Sequence, residues 1–345
     1  MPTPLSDAEE RDLAACRSLL KAGSRSFDAA ARLLPRSVRD PAIALYAFCR
    51  VADDEIDGAT ADAFGVDRLR ERLTLIYEGR PTQHPSDRAM AWVVARFGIP
   101  RALPEALLEG FAWDAEGRRY DDLAALRAYA VRVAGTVGAM MAVLMGVRDR
   151  ARLAAAIDLG VAMQLSNIAR DVGEDARAGR LYLPQQWLLE EGIDPGRFVT
   201  APAYDPALAS VVRRLLDVAD TYYNRAKPSI ARLPLGCRLG IAAAALLYAE
   251  IGREVRRRSY DSVSGRAVVS RRHKIQVIAA GLPRMVLRGG ILSGSVVPEG
   301  AFLVAAVNCR GTVEEQKPPR WKLSERALWV IDLFTRLEQR QNARL

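Results

Sequence analysis

Residues 151–175 read ARLAAAIDLGVAMQLSNIARDVGED, and this stretch decides the fold. From Ala151 to Arg170 apolar residues recur three and four apart, the mark of a continuous helical face. Asp158 is the only charged residue between Leu153 and Ala169, so the helix reads as buried among other helices. Its final turns change character. Gln164, Asn167, Asp171 and Asp175 are spaced three, four and four, which places them on one side. The run Val211 to Lys227 has the same periodicity, and Ser6 with Glu9 forms a capping box that starts a helix running through Leu19 and Leu20. No sustained period-two alternation reads as strand, so the sequence predicts an all-α chain.

A second acidic helix stands far upstream. Tyr46-Ala47-Phe48-Cys49-Arg50-Val51-Ala52-Asp53-Asp54-Glu55-Ile56-Asp57 puts Tyr46, Arg50, Asp53 and Asp57 on one narrow face, after the apolar Ala42-Ile43-Ala44-Leu45. Each motif is a D-x-x-x-D. Like charges four apart on a helix repel by about 0.2–0.5 kcal/mol per exposed pair, and by more when desolvated, so a cation should sit nearby. A lone D-x-x-x-D is ordinarily a solvated helix face. Here both host helices are apolar upstream and the polar residues keep to one stripe, which favours a site. Mg²⁺ takes oxygen ligands, keeps several waters, and is held by one or two carboxylates together with substrate phosphates. Two helices of a bundle facing each other across a cavity would supply that arrangement.

Proline- and glycine-bearing breaks at Glu78 to Asp87, Ile99 to Pro104, Gly179 to Pro184, Asp194 to Pro206 and Arg310 to Pro319 separate helices rather than domains. The net charge of +9 favours an anionic partner: a phosphate ester, a nucleic acid or an acidic membrane surface. No nucleic-acid-binding motif accompanies the basic stretches, so nucleic acid is not expected. Cys16, Cys49, Cys237 and Cys309 are scattered and the histidines are only His84 and His273, which argues against a zinc site or a disulfide framework. Free thiols and the absence of a leader-like start point to a cytoplasmic location. No segment reads as a membrane span, because the most apolar late stretch, Ile275 to Leu287, is broken by Gly281, Pro283 and Arg284.

Together these residues resemble the squalene and phytoene synthases. The likeness runs from Ala22 to Lys274 and rests on an ordered set of signatures. These are Gly23-Ser24-Arg25-Ser26-Phe27 with Leu33-Leu34-Pro35, Tyr46 to Asp57, Val133-Ala134-Gly135-Thr136-Val137-Gly138, Gln164 to Asp175, and Arg180-Leu181-Tyr182. The resemblance implies a single-domain isoprenoid-synthase-type bundle around a central apolar cavity. It divides the chain into a prenyltransferase part, 1–274, and a C-terminal extension, 275–345, partly helical and either packed on that part or facing a membrane. By the resemblance, Asp53 and Asp57 form one metal-binding pair, and Asn167, Asp171 and Asp175 form the other set, for Mg²⁺ or Mn²⁺. Ser24, Arg50, Gln164, Arg170, Tyr182 and Arg266 are similar to residues lining the diphosphate region. Tyr46, Tyr129 and Tyr248 match tyrosines near the reacting centre, where a ring face or hydroxyl can approach a carbocation.

Structural readings stand beside these roles. Ser24 and Ser26 are also placed to cap the next helix, and Phe27 to fill core. Val133 to Gly138 also reads as a seam for close helix packing. Tyr248 also reads as a buried ring whose hydroxyl meets a backbone carbonyl.

The implied reaction ionises twice, through a cyclopropyl-carbinyl diphosphate, and needs a dry pocket because water quenches such cations. Phe27 and Ala31 share a face, and Ala29-Ala30-Ala31 leaves it without further bulk, which makes room for a long tail. Within the family the chain is nearer the bacterial phytoene-forming members, which implies geranylgeranyl diphosphate and a forty-carbon product. A farnesyl diphosphate-using squalene, dehydrosqualene or hopanoid-precursor synthase is the alternative, and an inactive family member serving in assembly is another. No dinucleotide fingerprint follows a predicted strand, so no nicotinamide cofactor is expected. Arg253, Arg256, Arg257 and Arg258, then Arg266, Arg271, Arg272, His273 and Lys274, form a cationic region that, Arg266 excepted, is either solvated or membrane-facing. Trp321 to Gln341 reads as an amphipathic helix with Ala327, Val330, Ile331, Phe334 and Leu337 opposite Lys322, Arg326, Arg336 and Arg340. It either packs or docks on lipid, and peripheral, reversible membrane association is expected. The oligomeric state is open.

Overall fold

A computed structural model describes residues 5–23, 30–57, 65–287, 289, 290, 292 and 294–308. Among them every regular element is helical. Helices α1 (Asp7–Gly23), α2 (Arg36–Asp57), α3 (Gly65–Tyr77), α4 (Pro85–Phe97) and α5 (Ala102–Ala115) precede α6 (Leu123–Ala130). A π-helical segment, Val131–Gly135, joins α6 to α7 (Thr136–Leu144), and α8 (Arg150–Arg177) carries the second acidic motif. Then come the short α9 (Gln185–Glu190) and α10 (Pro195–Thr200), the long α11 (Pro206–Ile230) and α12 (Leu235–Arg257), and α13 (Arg271–Leu287). Last are a 3₁₀ turn, Pro298–Gly300, and α14 (Ala301–Asn308).

Local chemistry starts these helices where the sequence places the signals. Ser6 and Glu9 exchange the reciprocal bonds of the capping box, Ser6 N to Glu9 Oε2 at 2.7 Å and Glu9 N to Ser6 Oγ at 3.3 Å. Asp122, Asp149, Asp194 and Asp205 cap α6, α8, α10 and α11 by accepting from the backbone N–H three residues on. The stretch Asp194 to Pro206, expected as a break, contains the single-turn α10, begun by the Asp194 cap and Pro195.

The α8 helix is the hub, packed by α7, α11 and α12. Its approach to α7 and the π segment is backbone to backbone. A Cβ on Gly160 would lie 2.2 Å from the Ala134 carbonyl oxygen, and one on Gly138 would lie 2.2 Å from that of Ala156. The expected small-residue seam therefore exists, and the π segment overlaps its first half. Asp158, the lone charge in the apolar run, is 2% exposed at the side chain and pairs with Arg225 of α11 at 2.9 Å. Burial pushes its carboxyl up to about 7 against the opposing pull of Arg225.

Two helical stretches do have the length and apolarity of a membrane span, Leu123–Leu144 and Leu235–Arg257, which amends the sequence expectation. They pass the test because they are central: half or more of each is buried inside the bundle. The described residues between 275 and 308 pack on this body. Leu282, Met285 and Val286 lie against Ile230, Ala242 and Ala245, and Val297, Leu303, Val304 and Val307 are buried. Arg127 of α6 holds Glu299 at 2.7 Å. A compact unit covers Met1–Val313. The amphipathic stretch Trp321 to Gln341 and the break Arg310 to Pro319 lie outside the described residues.

Replacing Gly160→Ala should destabilise the protein by about 1–3 kcal/mol through overpacking, although alanine gains up to ~1 kcal/mol of helix propensity. Urea unfolding measures this, and a midpoint at or above the parent's would contradict the backbone contact.

Candidate active site

Partial exposure picks out the candidate site. Several helices with largely buried surroundings carry partly exposed residues at helical spacing. On α2 these are Tyr46, Arg50 and Asp53; on the π segment and α7, Val133, Ala134 and Val137. On α8 they are Gln164, Asn167, Asp171 and Asp175; on α12, Ile241, Ala244 and Tyr248. Solvent reaches a bundle helix along one stripe only where a space adjoins it. Both α2 and α8 flank α7. Tyr248 lies within electrostatic reach of Tyr46 on one side and of Arg170 on the other. Tyr248 of α12 thus links Tyr46 of the first motif to Arg170 of the second.

On α2, Arg50 reaches one turn along the helix, pairing with Asp53 at 3.4 Å and Asp54 at 2.6 Å. Glu55 points away and ties the helix to its support. It accepts from Arg68 at 3.0 Å and from Arg72 at 2.5 Å, and Arg72 also grips Asp87 of α4 at 2.8 Å. Asp87 is fully buried. Burial would push its carboxyl up, but hydrogen bonds from Arg72 and Thr82 outweigh that and hold it below the ordinary carboxylate range. Asp57 ends α2; its side chain, like Ser24 and Phe27 entirely, lies outside the described residues.

On α8, Asp171 sits between two guanidinium groups, Arg170 at 2.7 Å and Arg266 at 2.9 Å. Arg266 comes from the loop after α12, which is strapped onto the end of α8. The Gly173 N–H donates to Ser262 O at 3.0 Å, and Ser262 Oγ donates to Ala169 O at 2.6 Å. A Cβ on Gly173 would stand 2.6 Å from Val263 Cα, so the loop lies directly on the helix. Ser259 and Tyr260, at φ of 55° and 65°, make the left-handed turn that reverses the chain there. Asp175 is poorly compensated: burial first, then the charges of Asp171, Glu174 and Asp114, push its carboxyl up to about 7 against Arg180. The Asn167 side-chain oxygen is buried without a hydrogen-bond partner.

The tyrosines form two sets. Tyr46 and Tyr248 lie together, and burial raises both hydroxyl pKa values. Tyr129 and Tyr182 stack at 5.2 Å between ring centroids, and each donates its hydroxyl to Asp114, at 2.8 and 2.7 Å. Sequence reasoning placed Tyr182 with the diphosphate and Tyr129 with the reacting centre, and it missed Asp114 and the neighbouring Tyr120. A signal was present. Asp114 stands in the last turn of an apolar helix, where the helix dipole disfavours an acid unless something specific binds it. Cys16 and Cys49 have thiols pushed up to about 12, chiefly by burial, as inert core cysteines do. Among the described residues no three His, Cys, Asp or Glu side chains gather as a ready-made metal cluster.

The chain belongs to the squalene/phytoene synthase family, whose profile matches residues 20–273. It is accordingly a prenyltransferase with the all-helical isoprenoid-synthase fold. It is 56% identical over 273 residues to a phytoene synthase of Rhodobacter capsulatus, covering 78% of this chain and 80% of that one. With a phytoene synthase of Cereibacter sphaeroides it shares 51% identity over 310 residues, 86% of this chain and 87% of the relative. A ligand-bound dehydrosqualene synthase crystal structure superposes with a TM-score of 0.75 at 31% identity, covering 80% of this chain and 97% of that one.

Removing the Arg72 guanidinium leaves Asp87 buried and unpaired, so Arg72→Ala should cost about 3–5 kcal/mol at neutral pH. In the parent the Asp87 contribution is complete above the ordinary carboxylate pKa of about 4 and is lost as pH falls through its depressed value. In the variant an unpaired Asp87 takes up its proton more readily. The stability gap, followed by chemical denaturation, should therefore narrow between pH 7 and pH 4, and a pH-independent gap would count against this account.

Proposed function

We propose that the chain catalyses the phytoene synthase reaction, joining two molecules of geranylgeranyl diphosphate head to head with release of both diphosphates. The observation that carries this reading is the 51% identity to a phytoene synthase across 86% of the chain and 87% of the relative. The first ionisation gives an allylic cation that is attacked by the double bond of the second molecule. Loss of a proton then closes a cyclopropyl-carbinyl diphosphate. The second ionisation, rearrangement and loss of another proton give the forty-carbon product.

Asp53, Asp57, Asn167, Asp171 and Asp175 are the residues that would hold Mg²⁺, with Mn²⁺ as a substitute. The donor set fits: all are oxygen ligands, Asn167 has an unpaired buried oxygen, and Asp175 is strained by like charge. A divalent ion there supplies charge neutralisation as diphosphate leaves. The chain's own arginines supply the rest. Arg50, Arg170 and Arg266 pair with the acids of the two motifs in the structure described here, and guanidinium groups bind phosphate oxygens equally well. Gln164 shares the stripe, and Ser24 and Phe27 keep the roles the family resemblance gives them. By the family resemblance the tyrosines stand near the cations, and the buried surroundings exclude water.

We also place the protein in the cytoplasm at the membrane surface. Between Asp261 and Glu299 the chain has no acidic residue and, besides the Arg266 that pairs with Asp171, carries Arg271, Arg272, His273, Lys274, Arg284 and Arg288. The same segment exposes Val268 at 72%, Ile275 at 37% and Leu287 at 80%. Basic residues without acids, interleaved with exposed apolar ones, suit an anionic bilayer, and the substrate and product are lipid-soluble.

Incubation with geranylgeranyl diphosphate and Mg²⁺ should yield phytoene, and Asp53→Ala and Asp171→Ala should each reduce turnover by at least about a hundredfold. Turnover confined to farnesyl diphosphate would replace this substrate with the shorter one. The protein should cosediment with vesicles containing phosphatidylglycerol, less so at high salt, and weakly with phosphatidylcholine alone. Arg272→Glu with Arg284→Glu should weaken binding by about 1 kcal/mol or more per charge, and unchanged cosedimentation would remove this face from consideration.

A further inference from the structure

The acid on α5 that touches two of the cavity tyrosines has no role in the reaction described so far. Tyr120, Tyr129 and Tyr182 form a three-ring cluster, with centroids 5.1, 5.2 and 6.1 Å apart. Tyr120 and Tyr129 are buried, whereas Tyr182 is partly exposed. The two carboxylate oxygens of Asp114 are divided between them: Oδ2 accepts from Tyr129 at 2.8 Å and Oδ1 from Tyr182 at 2.7 Å. The cluster adjoins the second acidic motif, since the charge of Asp114 reaches Asp175.

A tyrosine hydroxyl carries one proton and two lone pairs. With the proton committed to a carboxylate, the rest of the oxygen offers only lone pairs to any neighbour, and the charged acceptor polarises it further. Burial, with the nearby Asp114 charge, raises the pKa of both hydroxyls, so both keep their protons. The orientation matters for a cationic reaction. A hydroxyl whose proton pointed at a carbocation would repel it, and the same group reversed attracts it.

We propose that Asp114 is a positioning residue that fixes the hydroxyl dipoles of Tyr129 and Tyr182 so that their oxygen lone pairs, rather than their protons, face the carbocations of the reaction. The inference rests on the proposed prenyl-coupling reaction. Asp114 does not touch substrate in this account; it acts through the two tyrosines.

The test is a double-mutant cycle on the full chain. Asp114→Asn keeps the shape but offers one acceptor and one donor, so one tyrosine must turn its proton outward. The expected result is a fall in kcat of about a hundredfold, with KM for the diphosphate and the Mg²⁺ concentration for half-maximal rate within twofold of the parent. A larger share of water-quenched alcohols should accompany it. Tyr129→Phe combined with Tyr182→Phe should lose a comparable factor, and adding Asp114→Asn to that pair should cost little more, because the effects share one route. Independent, multiplying losses would overturn the proposal, as would a displaced Mg²⁺ requirement, which would make Asp114 a metal ligand. Should Asp114→Asn fail to fold, Tyr182→Phe alone decides: an unaltered kcat sinks the idea. The parent's product with each diphosphate tests the reaction, while variant-to-parent ratios on whichever diphosphate is consumed test Asp114.

Discussion

Carboxylates withdrawn from water beside other carboxylates have to be compensated, and the organisation of this protein follows from that constraint. Asp171 is held between Arg170 and Arg266, and Arg50 covers Asp53 and Asp54. Each pairing is delivered by a separate piece of architecture. Arg50 and Arg170 come from the acidic helices themselves, one turn or one residue away. Arg266 arrives only because a loop is fastened to α8 through Gly173, Ser262 and Ala169. Compensation is uneven, and Asp175 and the oxygen of Asn167 remain short of partners. A half-compensated set of oxygens is poised to take up a cation, whereas a fully paired one would be a structural network and nothing more.

The scaffold beneath the acids follows a different logic. Backbone contact at Gly138 and Gly160 brings α7 and α8 together more closely than side chains allow. Behind α2, the Glu55–Arg72–Asp87 chain anchors the first acidic helix to α3 and α4. Charge on α2 therefore takes two forms: largely buried and paired at Glu55, where it fixes position, and partly exposed at Arg50 and Asp53.

Much of this was legible in the residues alone. Periodicity gave the helices, and the stripe Gln164, Asn167, Asp171, Asp175 follows from a spacing that only a helix brings into line. The capping box at Ser6 and the seam at Val133 to Gly138 were also readable, since each rests on residues close in sequence. Contacts between distant segments were not. Nothing local says that Arg225 meets Asp158 or that Arg127 meets Glu299. Asp114 was passed over because it is a single acid without a motif, and its meaning depends on tyrosines 15 and 68 residues away. The two membrane-length helices were missed for a related reason: interrupting charges such as Arg127 and Arg238 look disqualifying until their buried or backbone partners are seen.

The glycine contacts between α7 and α8 also set where this architecture can change. Where main chain touches main chain there is no side chain to shorten or lengthen, so the spacing of these segments is inherited whole. Val133 and Val137 beside that contact, and Ile241 and Ala244 of α12, stand partly exposed and can be exchanged singly. Diversification, in nature or by design, is thereby steered to those side chains while the helix spacing stays fixed.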